Sequence, residues 1–220
     1  MAKALVRVNG KELISYSMDL LAPTFIDRLI FAVDHHERQI REWVESVSLP
    51  YDVVFSNQEQ PGFLNAVECA FSASDKNTIL LLHTDVIRLG MQLQGALEFH
   101  QSLGILATVV TTKTDRLYHH WQVSFDLERR RVLGFTIRDQ SYRRAPNARG
   151  TVLTGTIILD RTALSYADRE TSIDFAGLVQ PLVDANELGI YIDETHALFD
   201  VGTPEEFKEA EEYFKGLKRV

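Results

Sequence analysis

Strand and helix periodicities alternate along most of this chain. LIFAVD (29–34) reads as a buried strand, and HERQIREWVESV (36–47) then sets Ile40, Trp43, Val44 and Val47 at helical spacing. YDVVFS (51–56) is a second strand, followed by a glycine-containing loop and the helical run FLNAVECAFSA (63–73). TILLLHTD (78–85) is the most apolar strand, MQLQGALEFHQSLG (91–104) a helix stopped by Gly104, and ILATVVTT (105–112) a further strand. Strands separated by helices favour a parallel sheet covered on both faces.

The texture changes near residue 117. YHHWQVSFD (118–126) and RRVLGFTIRD (130–139) read as a hairpin, followed by the arginine-rich loop QSYRRAPNARG (140–150). LTGTIILD (153–160) is another strand, DFAGLVQPLVDANELG (174–189) a helix that Pro181 kinks, and GIYIDE (189–194) a last strand. No repeat, linker or low-complexity stretch interrupts this order. The fold expected is α/β: a Rossmann-like three-layer sandwich with a mostly parallel central sheet and a small antiparallel elaboration at about residues 117–150, all in one domain spanning 1–220.

Charge and cysteine use narrow the function classes. A formal charge of −8 provides no basic field for nucleic acid or an anionic membrane, so a phosphate ligand must be met by local groups or a metal. Cys69, the only cysteine, excludes an internal disulfide framework and a thiolate zinc cluster, and fits a reducing compartment. No stretch approaches the roughly 18 apolar residues of a membrane span, and the N-terminus lacks the apolar segment of a signal peptide. The expectation is a cytoplasmic protein.

LFDVGTPEEF (198–207) is mostly helix-start chemistry. Thr203 caps through its hydroxyl, Pro204 suits the first helical position, and Glu206 reaches back to complete a capping box. Asp200 is left over, a carboxylate among Leu198, Phe199 and Val201 where an unpartnered charge is costly. The residues alone leave two roles open for it: an Asx-turn before the capping box, or a ligand. Asp85, at the end of the most apolar strand, is likewise either a turn cap or a site residue.

Three segments in order, KALVRVNGKELISYSMDLL (3–21), TILLLHTDV (78–86) and LFDVGTPEEF (198–207), resemble the sugar-phosphate nucleotidyltransferase family over nearly the whole chain. Members join a nucleoside triphosphate to a phosphorylated sugar or small alcohol. The resemblance implies that Lys3 contacts the triphosphate and that Asp85 and Asp200 hold a catalytic Mg²⁺, with a long helix after the Asn9-Gly10 turn. In SNQEQPGFLNAVE (56–68), Asn57, Gly62 and Asn65 match the frame of the nucleobase. Arg138, where the family often has a Glu-Lys pair, and Gly155, beside the sugar, match the sugar-phosphate side. It implies α-phosphate transfer to an anionic phosphate nucleophile without a general base, with pyrophosphate leaving. Neither base nor sugar is specified, and a homo-oligomer is compatible with it.

The family's N-terminal strand and glycine-rich, arginine-bearing loop have no counterpart here, since the chain opens with Met1 just before Lys3. In the family that strand is central, so its loss would leave two strand edges inside the core. A fragment, a mis-started reading frame or a loop-less protein are the readings this leaves. Two other functions follow from other classes: a non-catalytic nucleotidyltransferase-like binding or regulatory subunit, and a glycosyltransferase. The latter normally has two aspartates around one residue, where His83-Thr84-Asp85 has one. Arg129, Arg130 and Arg131 read as a solvated turn, and His119, His120, His35 and His36 as structural.

Overall fold

The computed structural model describes residues 1–22, 25–33, 36–58, 62–114, 120–137, 150–169, 174–195 and 197–217. A two-residue ribbon, β1 (Arg7–Val8) and β2 (Lys11–Glu12), turns at Asn9 and Gly10, both with positive φ, and leads into α1 (Leu13–Met18). The long helix implied by resemblance is thus six residues. β3 (Arg28–Val33), α2 (Glu37–Ser46) and β4 (Asp52–Asn57) form a parallel unit, and α3 (Phe63–Ser72) crosses over to β5 (Thr78–Leu82). β6 (Val86–Leu89), α4 (Leu93–Leu103) and β7 (Ala107–Thr114) follow, with Gly104 closing α4 at φ 60°. The hairpin is β8 (Trp121–Asp126) and β9 (Arg131–Ile137), after which come β10 (Gly150–Asp160), α5 (Phe175–Asp184), β11 (Leu188–Asp193), β12 (Ala197–Asp200) and α6 (Pro204–Leu217).

The sheet departs from the expected mostly parallel one. Its main body has the order β5-β10-β7-β11-β9-β8, and only β7 and β11 pair in parallel. β5 and β7 do point the same way, but β10 runs antiparallel between them. β10 follows the β8–β9 hairpin in the chain and runs antiparallel to both β5 and β7. β10 also pairs with β8 at Val152 and Gln122, which closes a ring of β10, β7, β11, β9 and β8.

Helices pack on both faces of β5 and β10. Successive residues of β5 and β10 face opposite ways: Ile79, Leu81, Ile157 and Leu159 pack with α3 and α5, whereas Leu80, Leu82 and Ile158 pack with α4. Pro181 lies inside α5 and cannot donate to the carbonyl of Gly177; the Asp168 N–H does so instead at 2.9 Å. Arg161 fixes the end of α3 by donating to the carbonyls of Phe71, Ser74 and Lys76. No described helix is long and apolar enough to cross a membrane.

Candidate active site

The site lies where β5 gives out. β5 ends at Leu82, and His83, Thr84 and Asp85 carry the chain from it into β6. β6 pairs antiparallel with β12, which sets Asp200 opposite Val86, and the Val201 N–H donates to the Asp85 carbonyl at 2.9 Å. Two residues far apart in sequence are therefore held together by a backbone ladder, a stiffer link than side-chain contact. Neither short strand was evident in the sequence, because each has four residues and the motif logic ended at the aspartates.

Lys3 completes the group from the first 3₁₀ turn, its Nζ 2.6 Å from Asp85 Oδ2. A Cβ placed on Gly202 would lie 3.6 Å from both Lys3 Nζ and Asp200 Oδ1. Lys3, Asp85 and Asp200, expected to act together, are thus brought together. The loop after Asp200 is fixed by the predicted capping box: Thr203 Oγ1 accepts from the Glu206 N–H, and Glu206 Oε2 accepts from the N–H groups of Gly202 and Thr203.

The two carboxylates differ electrostatically. Burial pushes Asp85 up, but the hydrogen bond and charge of Lys3 outweigh it, so Asp85 is held below the ordinary carboxylate value. Burial and then the charges of Asp85 and Glu206 push Asp200 up to about 6, against the weaker pull of Lys3 and Arg88. Among the described residues its carboxylate accepts no hydrogen bond. Burial also lowers His83, whose ring meets Phe63 edge-on at 5.8 Å.

Arg88 is the residue that motif reasoning missed. It is 2% exposed, and its guanidinium donates to the carbonyls of His83 (2.9 Å), Val86 (2.8 Å), Gly155 (2.8 Å) and Thr154. It therefore ties both flanks of Asp85 to β10. Burial lowers its pKa to about 9, which keeps it charged at neutral pH. The signal was available: a charge within the apolar run Val86-Ile87-Arg88-Leu89 raises the same question as Asp200.

Gly155 sits at the irregularity in β10 between Leu153 and Thr156, with φ at +66°. A Cβ there would meet Arg88 Nη2 at 2.8 Å and His83 Cβ at 3.1 Å, so the close approach of β10 to the Asp85 loop requires glycine. Asn57, Gly62 and Asn65 gather at the β4–α3 junction. Gly62 has φ 124°, and Cys69 Sγ lies 3.6 Å from the Asn57 carbonyl and 3.7 Å from Asn65 Oδ1. None of the three lines the cleft that contains Lys3 and Asp85, although their neighbours Phe63 and Ala66 do. Arg138 lies outside the described residues. Among those described, no cluster of three or more His, Cys, Asp or Glu is placed to hold a metal.

Solved structures share this fold. The fold resembles HddC from Yersinia pseudotuberculosis complexed with GMP-PN, at 17% identity and TM-score 0.73, covering 97% of this chain and 90% of that one. It resembles UDP-glucose pyrophosphorylase complexed with UDP-glucose at 13% identity and TM-score 0.76, with 97% and 90% covered. The UDP-glucose pyrophosphorylase from Acinetobacter baumanii gives 17% identity and TM-score 0.72, with 99% and 90% covered. Over residues 1–144 the sequence matches the family model of the MobA-like NTP transferase domain. With that match spanning well over half of the chain, the protein belongs to the MobA-like NTP transferase domain family.

Proposed function

We propose that this chain transfers a nucleotidyl group from a nucleoside triphosphate to a phosphorylated sugar or small alcohol, releasing pyrophosphate, with Mg²⁺ as cofactor. The observation that carries the reading is the convergence of Lys3, Asp85 and Asp200 at the C-terminal end of β5, beside an open cleft. Ligands of open α/β sheets bind at that end of the strands.

The donor set fits Mg²⁺. Mg²⁺ takes one or two carboxylates and fills its other positions with water and phosphate oxygens, so two aspartates without a third protein ligand suffice. Asp200, buried beside two other carboxylates and lacking a hydrogen bond among the described residues, is a group whose charge a cation would relieve. When bound, the ion supplies charge neutralisation and polarises the α-phosphate.

The protein's own residues do the positioning. Asp85 and Asp200 hold the cation, fixed by Arg88 on one side and by the capping box on the other. Lys3, on its flexible stem, exchanges Asp85 for the triphosphate. The sugar or alcohol phosphate is already an anionic nucleophile, so no side chain need remove a proton from it. Gly155 lets β10 come close to the reacting region, and Arg138 meets the second phosphate. Asn57, Gly62 and Asn65 frame the base from the junction that leads into Phe63 and Ala66.

The test is release of pyrophosphate when the protein is incubated with each nucleoside triphosphate, Mg²⁺ and a panel of phosphorylated sugars and alcohols. Asp200→Ala should abolish release and weaken Mg²⁺-dependent triphosphate binding. Triphosphate binding without turnover would favour the non-catalytic subunit; unchanged binding in Asp200→Ala would refute the site.

A further inference from the structure

Two cations lie beside the paired aspartates, Arg88 and Lys3, and they differ in freedom. Arg88 is fixed. All five N–H groups of its buried guanidinium are engaged: Nε on the Thr154 carbonyl, Nη1 on the Val86 carbonyl and the Ser17 hydroxyl, and Nη2 on the carbonyls of His83 and Gly155. Among the described residues none is left for Asp85 or Asp200, so Arg88 braces the backbone around them without pairing either.

Lys3 is the opposite case. Its backbone is held, because the Ala2 N–H donates to Gln39 Oε1 at 2.8 Å and the carbonyls of Ala2 and Lys3 accept from the N–H groups of Leu5 and Val6. Its ammonium is free to swing. The side chain is 47% exposed, and among the described residues its one hydrogen bond goes to Asp85 Oδ2 at 2.6 Å. A four-carbon stem lets that ammonium change partners while the backbone stays in place.

The place it occupies is the one a cation would need. Lys3 Nζ and Asp200 Oδ1 each lie 3.6 Å from the point where a Cβ on Gly202 would stand, so at most twice that distance separates them. The ammonium therefore pairs with one aspartate and stands close to the other. A divalent cation bound by both carboxylates would meet a positive charge at short range, in a site that water only partly screens. Lys3 and the cation exclude each other.

We propose that Lys3 is a latch on the cation site: paired with Asp85 it turns away a free divalent cation, and drawn off by a triphosphate it opens the site, so that cation and triphosphate load together. This rests on the reading of Asp85 and Asp200 as cation ligands and adds the order in which the site fills. A triphosphate carries more negative charge than one carboxylate, so Lys3 favours it once it arrives. The effect is mutual by linkage: triphosphate tightens cation binding through Lys3, and a cation on Asp85 releases Lys3 to the triphosphate by the same factor. This coupling adds to any direct bond between phosphate oxygen and metal.

The test reads binding and not turnover. Mn²⁺ alone is titrated into wild type, Lys3→Met and Lys3→Arg and followed by electron paramagnetic resonance; inorganic triphosphate alone is titrated by calorimetry. Lys3→Met should bind Mn²⁺ about fivefold more tightly than wild type, the factor equivalent to the roughly 1 kcal/mol at the upper end for a partly exposed pair. It should bind triphosphate more weakly, and these opposite signs separate a latch from a loosened fold, which would weaken both. Lys3→Arg keeps a charge beside Asp85 and should exclude Mn²⁺ as wild type does. Asp200→Ala added to Lys3→Met should remove the gain. Unchanged Mn²⁺ binding in Lys3→Met, with Mn²⁺ still taken up beside triphosphate, overturns the latch and leaves the transferase reading standing. A gain that survives Asp200→Ala, or no uptake of Mn²⁺ even with triphosphate, overturns both. Should Lys3→Met fail to fold, the ¹³Cε resonance of Lys3 in wild type carries the same test. It should hold its position on addition of Mg²⁺ alone and move when Mg²⁺ and triphosphate are added together; a shift with Mg²⁺ alone, or none with both, overturns the proposal.

Discussion

Replacing Asp200 by asparagine should stabilise the metal-free protein at neutral pH. The carboxyl rises from its ordinary 3.8 to about 6 in the folded protein, which corresponds to about 3 kcal/mol at 1.36 kcal/mol per pH unit. A folded state that holds its proton more tightly than the unfolded chain binds more protons between those two values. Wild-type stability therefore falls as pH rises from 3.8 toward 6 and stays lowered above it. Asparagine is nearly the same shape and carries no charge to bury beside Asp85 and Glu206. Allowing for the part of the side chain that water still reaches, the expected gain is about 1–3 kcal/mol at pH 7.5 and near zero below pH 3.8. Urea unfolding across this range reads it as a midpoint shift on the order of 1 M at pH 7.5. Added Mg²⁺ should reverse the ranking, stabilising wild type and leaving Asp200→Asn unaffected. A difference that is flat from pH 4 to 8, or an asparagine variant less stable at pH 7.5, would refute the account of Asp200 as an electrostatically unfavourable carboxylate.

Asp85→Asn should behave oppositely, because Lys3 lowers the folded value of Asp85: a small loss of about 0–1 kcal/mol at neutral pH, since the pair is partly exposed, vanishing as the pH falls through that value. Gly155→Ala combines a left-handed φ with a collision at Arg88 Nη2, and should cost about 2–4 kcal/mol in thermal or urea unfolding. Arg88→Met takes the guanidinium donor from four carbonyls, of which that of Gly155 keeps the His83 N–H; it should cost about 3–5 kcal/mol and weaken Mg²⁺ binding, measured by titration at a temperature where the variant is folded. Glu206→Ala removes half of the capping box, costing about 1 kcal/mol, and by removing a nearby negative charge should lower the pKa of Asp200 as followed by carboxyl NMR titration.

Most of the element order, β6 and β12 excepted, was readable because its signals are local. Ile40 and Trp43 bury one stripe of α2 as their spacing required, Gly104 ends α4 in a left-handed conformation, and Thr203 with Glu206 forms the capping box that the sequence spelled out. The carboxylate argument at Asp200 was local too, since a charge among apolar residues announces itself wherever it lies. Sheet direction was not local. Nothing within LTGTIILD states that it will slot antiparallel between β5 and β7, because its neighbours are strands distant in the sequence.

The sequence by itself determined most of the α/β order, the ends of α4 and α6, and the setting of two aspartates, one after an apolar strand and one before a capping motif. Tertiary structure alone decided that those aspartates meet, through the four-residue ladder of β6 and β12, and that Asp200 rather than Asp85 bears the raised pKa. It also decided what Arg88 and Gly155 are for, a buried guanidinium against a glycine that leaves room for it. The physical reason is range. Periodicity and capping act over a few residues, whereas the charge on a buried group is set by whatever the fold brings within a few ångströms, and here that is Lys3, residues 85–88 and residues 200–206 together.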